Sequence, residues 1–242
     1  MTGYSEELLN SCRSVTTATL TTVMFKMGVV NTWIRGAFPL SGDSQRVAGP
    51  AFTLRFIPAR EDLATPASWG SPKSTRMAVE TMPEGCIAVV GADGCTDAGI
   101  FGDILCQRMR CRHVQALVTD GVVRDLEGIE ETQLDVWANG AASPAAVASL
   151  TFANWQEPIG CGGVAIFPDD LIVADSDGAV VVPQVMVSEV IEAAVEMEVQ
   201  EQWILEQIKN GAELPGLYPM NDKNRRRFEE ERRRGSSPKN PG

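Results

Sequence analysis

The alternation of apolar and polar positions along the chain predicts short buried strands separated by helices, a pattern typical of an α/β fold. Each predicted strand is an apolar run bounded by glycine, proline, aspartate or asparagine, which favour turns. The predicted strands are residues 46–57 (with a break at Gly49-Pro50), 86–91, 114–119, 134–138, 164–167, 171–174 and 179–182. The pattern therefore predicts a sheet built from many short strands.

Helical spacing of apolar residues predicts the segments that connect these strands. The predicted helices are residues 5–13, 14–27 and 72–82, a helix that starts near Gly102, a helical turn at 126–131 and a long helix at 185–210. Residues 31–43 and 60–71 lack clear periodicity and are predicted to be loops, and residues 141–157 are predicted to be a loosely structured excursion.

A single α/β domain is the expected organisation. The chain has 242 residues, of which 44% are hydrophobic, and this is enough for one sizeable core. We predict one domain over residues 1–217, which includes the long helix, followed by a charged tail over residues 218–242. Within that tail the mixed charges at 224–234 could form a helix, and residues 236–242 are predicted to be disordered.

Charge and cysteine content restrict the classes of function. The net charge is −11, whereas binding to nucleic acid generally needs a basic surface, so no nucleic-acid partner is expected. No apolar run is long enough to span a bilayer, and the N-terminus lacks an apolar secretory segment, so we expect a cytoplasmic protein with no membrane partner. The 6 cysteines form no C-x-x-C pair, and there is 1 histidine, which disfavours a zinc site.

The candidate chemistry lies in residues 99–125. A glycine loop at 99–102 precedes a predicted helix, whose first backbone N–H groups can bind a carboxylate or a phosphate. Asp103 lies at this helix start, and Arg124-Asp125 follow the next predicted strand. Ligands of α/β sheets gather outside the carboxyl ends of the strands. The stretch therefore predicts a site with one cation, two carboxylates and several N–H donors, which suits a small anionic substrate and a hard metal ion.

Asp103, the spacer of residues 104–123 and Arg124-Asp125 resemble the signature of class II pyruvate aldolases. These form the family of 4-hydroxy-4-methyl-2-oxoglutarate aldolase and the RraA-like proteins. Further blocks resemble the same family, at residues 49–53, 160–164, 168–171 and 174–183. The resemblance covers about residues 10–215. It implies a compact αββα sandwich with a central mixed sheet or barrel, similar to the swivelling phosphohistidine domain, and a homotrimer or homohexamer.

The resemblance also implies roles for the three side chains of the signature. Asp125 would hold a divalent metal ion, Mg²⁺ or another ion such as Mn²⁺, partly through waters. Arg124 would bind the keto oxygen of a 2-oxoacid substrate and stabilise the enolate that forms on cleavage. Asp103 would orient a metal-bound water that acts in proton transfer.

Two further sets of groups are implied in the same way. The backbone N–H groups of Gly102, Asp103, Ile104 and Leu105 would hold the carboxylate of the substrate. A glutamate from the C-terminal helix of a neighbouring subunit would approach the site, and Glu198 and Glu201 are the candidates for it.

The chemistry expected from these residues is metal-dependent cleavage of a 4-hydroxy-2-oxoacid to pyruvate. A Schiff-base route would need a reactive lysine, and the lysines lie outside the motifs. Mg²⁺ suits a site with few protein ligands because it keeps several waters. The same enolate forms when oxaloacetate loses carbon dioxide, so oxaloacetate decarboxylation is an expected side activity.

Two alternatives stay open at this point. Some RraA-like proteins bind and inhibit a ribonuclease and are not aldolases, so the chain could be a protein-binding regulator. The second alternative is a related lyase that acts on a sugar-acid substrate. It is motivated by residues 60–71, which are longer than the equivalent family segment that leads into a pocket-lining helix. The competing interpretation of that segment is a solvated loop with one buried tryptophan, Trp69.

Overall fold

The computed structural model describes residues 3–42 and 45–235. The described helices are α1 (Glu6–Ser14), α2 (Thr17–Lys26), α3 (Thr75–Thr81), α4 (Asp103–Cys111), α5 (Leu126–Thr132), α6 (Val187–Lys209) and α7 (Asp222–Gly235). The described strands are β1 (Trp33–Ile34), β2 (Phe38–Pro39), β3 (Val47–Pro58), β4 (Ile87–Gly91), β5 (Ala116–Thr119), β6 (Asp135–Ala138), β7 (Leu150–Trp155), β8 (Ile159–Cys161), β9 (Val164–Ile166), β10 (Leu171–Asp175) and β11 (Gly178–Val182). Short 3-10 turns cover Pro66–Gly70, Ala146–Ala148 and Gln184–Met186.

A mixed sheet forms the centre of the fold. Its strand order is β1-β11-β10-β3-β4-β5-β6-β2, and β7 pairs with β3 off this path. β3 to β6 run parallel to one another, and the other strands of the sheet pair antiparallel. β8 and β9 form a separate antiparallel hairpin. The predicted α/β class with a central mixed sheet is confirmed.

The sheet curls into a half barrel. β1 and β2 lie at opposite ends of the strand order, yet only residues 35–37 separate them along the chain. So short a connection can span only about 10–15 Å, so the two edges of the sheet must approach each other. The carboxyl ends of the central parallel strands β4 and β5 therefore lie at one rim of the half barrel.

The central strands are buried on both faces, which explains why their sequences are continuously apolar. Every residue of β4 and β5 is buried. Val79 of α3 and Met109 of α4 belong to the apolar cluster on one face, and Trp137 belongs to the cluster on the other. The burial of Met109 fixes α4 against the sheet, and thereby fixes the position at which that helix begins.

Asp120 is a buried anchor at the end of β5. Its side chain accepts hydrogen bonds from the backbone N–H groups of Ala92 at 2.7 Å, Gly94 at 3.2 Å and Gly162 at 2.9 Å. One carboxylate thus joins the exit of β4, the exit of β5 and the turn between β8 and β9. The predicted turn at Asp120-Gly121 is the point where these segments meet.

Three of the sequence predictions are wrong. Residues 141–157 are not a loose excursion, because β7 pairs antiparallel with the second half of β3 and Phe152 packs edge-on against Phe56 at 5.2 Å. Residues 31–43 are not all loop, since they contain β1 and β2. Gly49-Pro50 do not break β3; the strand changes there from its antiparallel partner β10 to its parallel partner β4.

The described chain divides into two compact units, one ending at Ile191 and the other beginning at Glu192. In the second unit, Trp203 of α6 packs edge-on against Phe228 of α7 at 5.7 Å. α7 covers the mixed charges at 224–234, whereas residues 236–242 lie outside the described residues. The assignment of residues 1–217 to a single domain stays a prediction. None of the helices in the described ranges combines the length and apolar character that a membrane crossing requires.

Candidate active site

The start of α4 forms the floor of the candidate site. Gly102 is the N-cap residue, and no side chain caps the helix there. Asp103 occupies the first turn, and its own Oδ1 accepts a hydrogen bond from the Ile104 N–H at 2.7 Å. A substrate carboxylate can therefore use the Ile104 N–H only if the Asp103 side chain releases it. The role of the N–H groups of Gly102 to Leu105 stays a prediction.

Backbone hydrogen bonds place Arg124 beside this helix start. The Ile100 N–H donates to the Val122 carbonyl at 2.9 Å, and the Arg124 N–H donates to the Phe101 carbonyl at 2.9 Å. Residues 99–101 therefore run alongside residues 122–124. A Cβ at Gly99 would lie 2.7 Å from the Arg124 Cβ, so the close approach of the two segments requires glycine there.

Arg124 and Asp125 form an ion pair at the mouth of the site. Arg124 Nε lies 2.9 Å from Asp125 Oδ2, and the two side chains are 37% and 43% exposed. Asp125 has a left-handed backbone (φ 57°, ψ 50°) and begins α5. This conformation costs a residue with a Cβ of the order of 1 kcal/mol, and such outliers cluster at functional sites.

Two glycines allow the three signature side chains to gather. A Cβ at Gly102 would lie 2.6 Å from Asp125 Oδ2, and a Cβ at Gly128 of α5 would lie 2.7 Å from the Asp103 Cβ. Without side chains at these positions, α5 packs directly against the start of α4. Asp103, Arg124 and Asp125 consequently line one cavity.

That cavity has a volume of about 580 Å³, within the range typical of small-molecule sites. One wall consists of residues 99–105 with Arg124 and Asp125, and a second wall comes from the connection between β3 and β4. The residues of this second wall are Asp62, Leu63, Ala64, Thr65, Ser68, Trp69, Ser71, Lys73, Ser74, Thr75 and Arg76. Residues 60–71 are therefore not a plain solvated loop, and Trp69 is 39% exposed rather than buried.

Lys73 and Arg76 are cavity residues that sequence reasoning missed. Lys73 lies outside the family motifs, and nothing in local periodicity marks either side chain as a site residue. They reach the cavity because the connection between β3 and β4 folds back over the site, which is a tertiary effect.

Glu198 and Glu201 lie on α6, in the second compact unit. Neither is among the residues that line the cavity of this chain. Their predicted contribution to the site of a neighbouring subunit stays a prediction.

The donor set at the cavity fits a hard divalent metal ion with a mainly water shell. Asp103 and Asp125 supply carboxylate oxygens, and the missing Cβ at Gly102 allows the Asp125 carboxylate to lie against the start of α4. Over residues 3–42 and 45–235 no three His, Cys, Asp or Glu side chains group closely enough to hold a metal by themselves. Mg²⁺ is satisfied by one or two carboxylates because it keeps several waters, whereas structural zinc needs a closed set of ligands.

A thiol beneath the site is chemically inert. Burial, with a smaller contribution from the charge of Asp103, raises the pKa of Cys106 to about 12. Since the thiolate is the reactive form, Cys106 is not a nucleophile at neutral pH.

Comparison with known proteins identifies the family of the chain. The family described as RraA-like, Aldolase/RraA, matches residues 17–181. The chain belongs to the RraA-like family. A similar solved structure is that of Streptomyces coelicolor RraAS2, described as an unusual member of the RNase ES inhibitor RraA protein family. Its TM-score to this chain is 0.74 and its sequence identity is 31%. The match covers 86% of this chain and 98% of that one.

Two curated relatives extend the comparison. Protein DlpA of Legionella pneumophila is 28% identical over 176 residues, which are 73% of this chain but 28% of that protein. The chain thus spans little more than a quarter of that relative's length. A Halalkalibacterium halodurans protein with the name "Putative 4-hydroxy-4-methyl-2-oxoglutarate aldolase" is 29% identical over 68% of this chain and 72% of its own length.

Proposed function

We propose that this RraA-like protein is a divalent-metal-dependent lyase that cleaves a 4-hydroxy-2-oxoacid, such as 4-hydroxy-4-methyl-2-oxoglutarate, and releases pyruvate. The observation that carries the proposal is the convergence of Asp103, Arg124 and Asp125 on one cavity at the start of α4. The aldolase name of the Halalkalibacterium relative supports the same reaction.

The reaction breaks the bond between C3 and C4 of the substrate. The C4 hydroxyl loses its proton, C4 becomes a carbonyl, and the electron pair of the broken bond passes to C3 and the keto oxygen as an enolate. A proton then adds to C3 and gives pyruvate. The protein must therefore stabilise a negative oxygen and move protons to and from the substrate.

The signature side chains can divide these tasks. The Arg124 guanidinium donates hydrogen bonds to the keto oxygen and stabilises the negative charge that develops there. Asp103 holds the water that receives the C4 hydroxyl proton. Asp125 is the residue that would hold the metal ion, and a bound divalent ion supplies Lewis-acid stabilisation of the same developing charge.

Decarboxylation of oxaloacetate follows from the same arrangement. Loss of carbon dioxide leaves its bonding electrons on the same pyruvate enolate, which Arg124 stabilises in the same way. The proposed site is therefore expected to release pyruvate from oxaloacetate as a side activity.

Metal removal tests the proposal directly. With Mg²⁺, the full-length protein should release pyruvate from 4-hydroxy-4-methyl-2-oxoglutarate and from oxaloacetate; EDTA should abolish this release, and excess Mg²⁺ should restore it. Pyruvate is followed by a coupled lactate dehydrogenase assay, with a protein-free sample to correct for spontaneous decay of oxaloacetate. Turnover that survives EDTA would contradict the metal requirement, and absence of turnover by folded, Mg²⁺-loaded protein would contradict the lyase proposal.

Substitution of Gly102 by alanine tests the metal position without changing any charge. The added Cβ would displace the Asp125 carboxylate, while the extended backbone at Gly102 (φ −124°, ψ −174°) accepts alanine without strain. We expect activity to fall about 10- to 100-fold, and the Mg²⁺ concentration for half-maximal activity to rise. Gly160→Ala is the matched control, since its added Cβ meets no atom within 4 Å. Equal activities of the two variants would show that Asp125 does not hold the metal.

A protein-binding regulator is the second candidate function. It is supported by the description of RraAS2 as a member of an RNase ES inhibitor family. Inhibition of a purified ribonuclease by this protein, with no turnover of either 2-oxoacid, would favour the regulator. Turnover without inhibition would favour the lyase.

A lyase for sugar acids is a variant of the first candidate. It is supported by the hydroxyl-bearing residues Thr65, Ser68 and Ser71, which line the second wall of the cavity and could bind the hydroxyls of a longer substrate. Pyruvate release from 2-dehydro-3-deoxygluconate, faster than from 4-hydroxy-4-methyl-2-oxoglutarate, would favour this variant.

A further inference from the structure

Two cations line the cavity apart from the signature residues. Lys73 and Arg76 belong to the wall formed by the connection between β3 and β4, while Arg124 belongs to the wall that contains the start of α4. Within the described ranges, no carboxylate lies within ion-pair distance of Lys73 or Arg76. Both residues are exposed, and in a chain with a net charge of −11 they give this wall of the cavity a positive charge.

Arg76 is held in place by an aromatic ring. Its guanidinium carbon lies 5.2 Å from the ring centroid of Trp69, which is the geometry of a cation–π contact. Trp69 lies in the 3-10 turn Pro66–Gly70, and Arg76 lies in the first turn of α3, whose N-cap Ser74 accepts from the Met77 N–H. The guanidinium is therefore positioned before any ligand arrives, and this reduces the entropy lost on binding.

The glutamate expected to neutralise Arg76 is bound elsewhere. Glu80 lies four residues after Arg76 on α3, the spacing of a common helical ion pair. Its carboxylate instead pairs with both Nε and Nη2 of Arg108 at 2.8 Å. Glu80 therefore does not neutralise Arg76, which lines the cavity without an ion-pair partner on α3.

The acidic residue of the same wall is also occupied. Asp62 accepts two hydrogen bonds from Arg60, from Nε and Nη2, each at 2.8 Å. This fork-to-fork pair uses both carboxylate oxygens, so Asp62 does not neutralise Lys73. The side chains of Lys73 and Arg76 can therefore both donate to a ligand anion.

We infer that Lys73 and Arg76 bind a second acidic group of the substrate, remote from the keto group, and thereby set the specificity of the site. The inference rests on the proposed lyase function, which places the keto group at Arg124. The cavity of about 580 Å³ is larger than pyruvate alone requires and has room for a longer molecule. The second acidic group is a carboxylate or a phosphate, since arginine and lysine bind both.

Matched substrates test the inference through turnover. 4-Hydroxy-4-methyl-2-oxoglutarate is compared with 4-hydroxy-4-methyl-2-oxopentanoate, in which a methyl group replaces the remote carboxylate. 2-Dehydro-3-deoxy-6-phosphogluconate is compared with its unphosphorylated form. The test variant is a double variant that combines Lys73→Met with Arg76→Met. The control variant is Arg110→Met, because Arg110 is exposed on α4 and does not line the cavity.

The expected result is a selective loss. For one pair, the double variant should lower kcat/KM about 10- to 100-fold for the member that carries the remote acidic group, mainly through a higher KM. For the member without that group, kcat/KM should fall less than about 2-fold. The pair that responds identifies the group as carboxylate or phosphate. Arg110→Met should leave both pairs unchanged. An equal loss within both pairs, or no loss in either, would overturn the inference.

A binding measurement separates this inference from the proposed reaction. Calorimetry with Mg²⁺ compares 2-oxoglutarate with 2-oxopentanoate, which do not undergo the cleavage. Tighter binding of 2-oxoglutarate, by about 10-fold or more and only when Lys73 and Arg76 are present, would support the inference even if no substrate is turned over. Equal affinities for the two probes would overturn it, whether or not the protein is a lyase.

Discussion

Replacement of Arg124 by methionine is expected to lower kcat/KM for 4-hydroxy-4-methyl-2-oxoglutarate about 100- to 1,000-fold. Methionine keeps the apolar stem of the side chain but removes the hydrogen-bond donors that, in the proposed mechanism, stabilise the enolate. Loss of one such donor lowers rates by this factor. The Arg124–Asp125 pair is partly exposed, at 37% and 43%, so its loss should change the free energy of unfolding by less than about 1 kcal/mol. This variant should therefore lose most of its activity while its stability stays nearly unchanged.

Arg124→Lys refines the same experiment. Lysine keeps the positive charge but lacks the planar fork, so we expect an intermediate loss of about 10- to 100-fold. Arg110→Met is the control for the change in net charge, because Arg110 is exposed on α4 and does not line the cavity. Pyruvate release under saturating Mg²⁺ is the measurement. If Arg124→Met retained more than a tenth of the wild-type activity, Arg124 would not be the group that stabilises the enolate.

Substitution of Asp120 by alanine is expected to lower the free energy of unfolding by about 3 kcal/mol or more. Asp120 is 7% exposed, and its carboxylate accepts three backbone N–H groups, from Ala92, Gly94 and Gly162. Alanine would leave these donors without a partner, and each unsatisfied buried donor costs about 1–3 kcal/mol, offset where water enters. The three segments joined by Asp120 should loosen together.

Urea unfolding followed by circular dichroism measures this loss. Asp120→Asn should cost less than Asp120→Ala, because the amide oxygen can still accept part of the set. Asp97→Ala is the matched control, since Asp97 is exposed on the loop after β4 and its removal should cost no more than about 0.5 kcal/mol. A similar loss for Asp97→Ala and Asp120→Ala would show that the hydrogen bonds of Asp120 contribute little.

The central strands could be predicted because their signal is local. β4 and β5 are buried on both faces, so each is a continuous apolar run bounded by turn residues. β7 was missed because most of its side chains are only half-buried, and a half-buried strand beside small residues leaves little alternation in the sequence. β1 and β2 are two residues each, too short for any periodicity to appear.

The residues of the candidate site also differ in whether the sequence alone could predict them. Asp103, Arg124 and Asp125 lie within one helix–strand unit, so their proximity follows from the connectivity of an α/β fold. Lys73 and Arg76 come to the cavity through the path of the connection between β3 and β4. That path depends on the packing of α3 and on the contact of Arg76 with Trp69, which no sequence spacing predicts.

The cavity has two walls of different origin, and this has an evolutionary consequence. The wall with Arg124 is fixed by backbone hydrogen bonds to residues 99–101, so insertions there would disturb the sheet itself. The second wall belongs to a crossover connection, a part of the chain in which length and sequence can vary without altering strand pairing. In the proposed lyase, exchange of this connection during evolution can therefore change the substrate while Asp103, Arg124 and Asp125 are inherited unchanged.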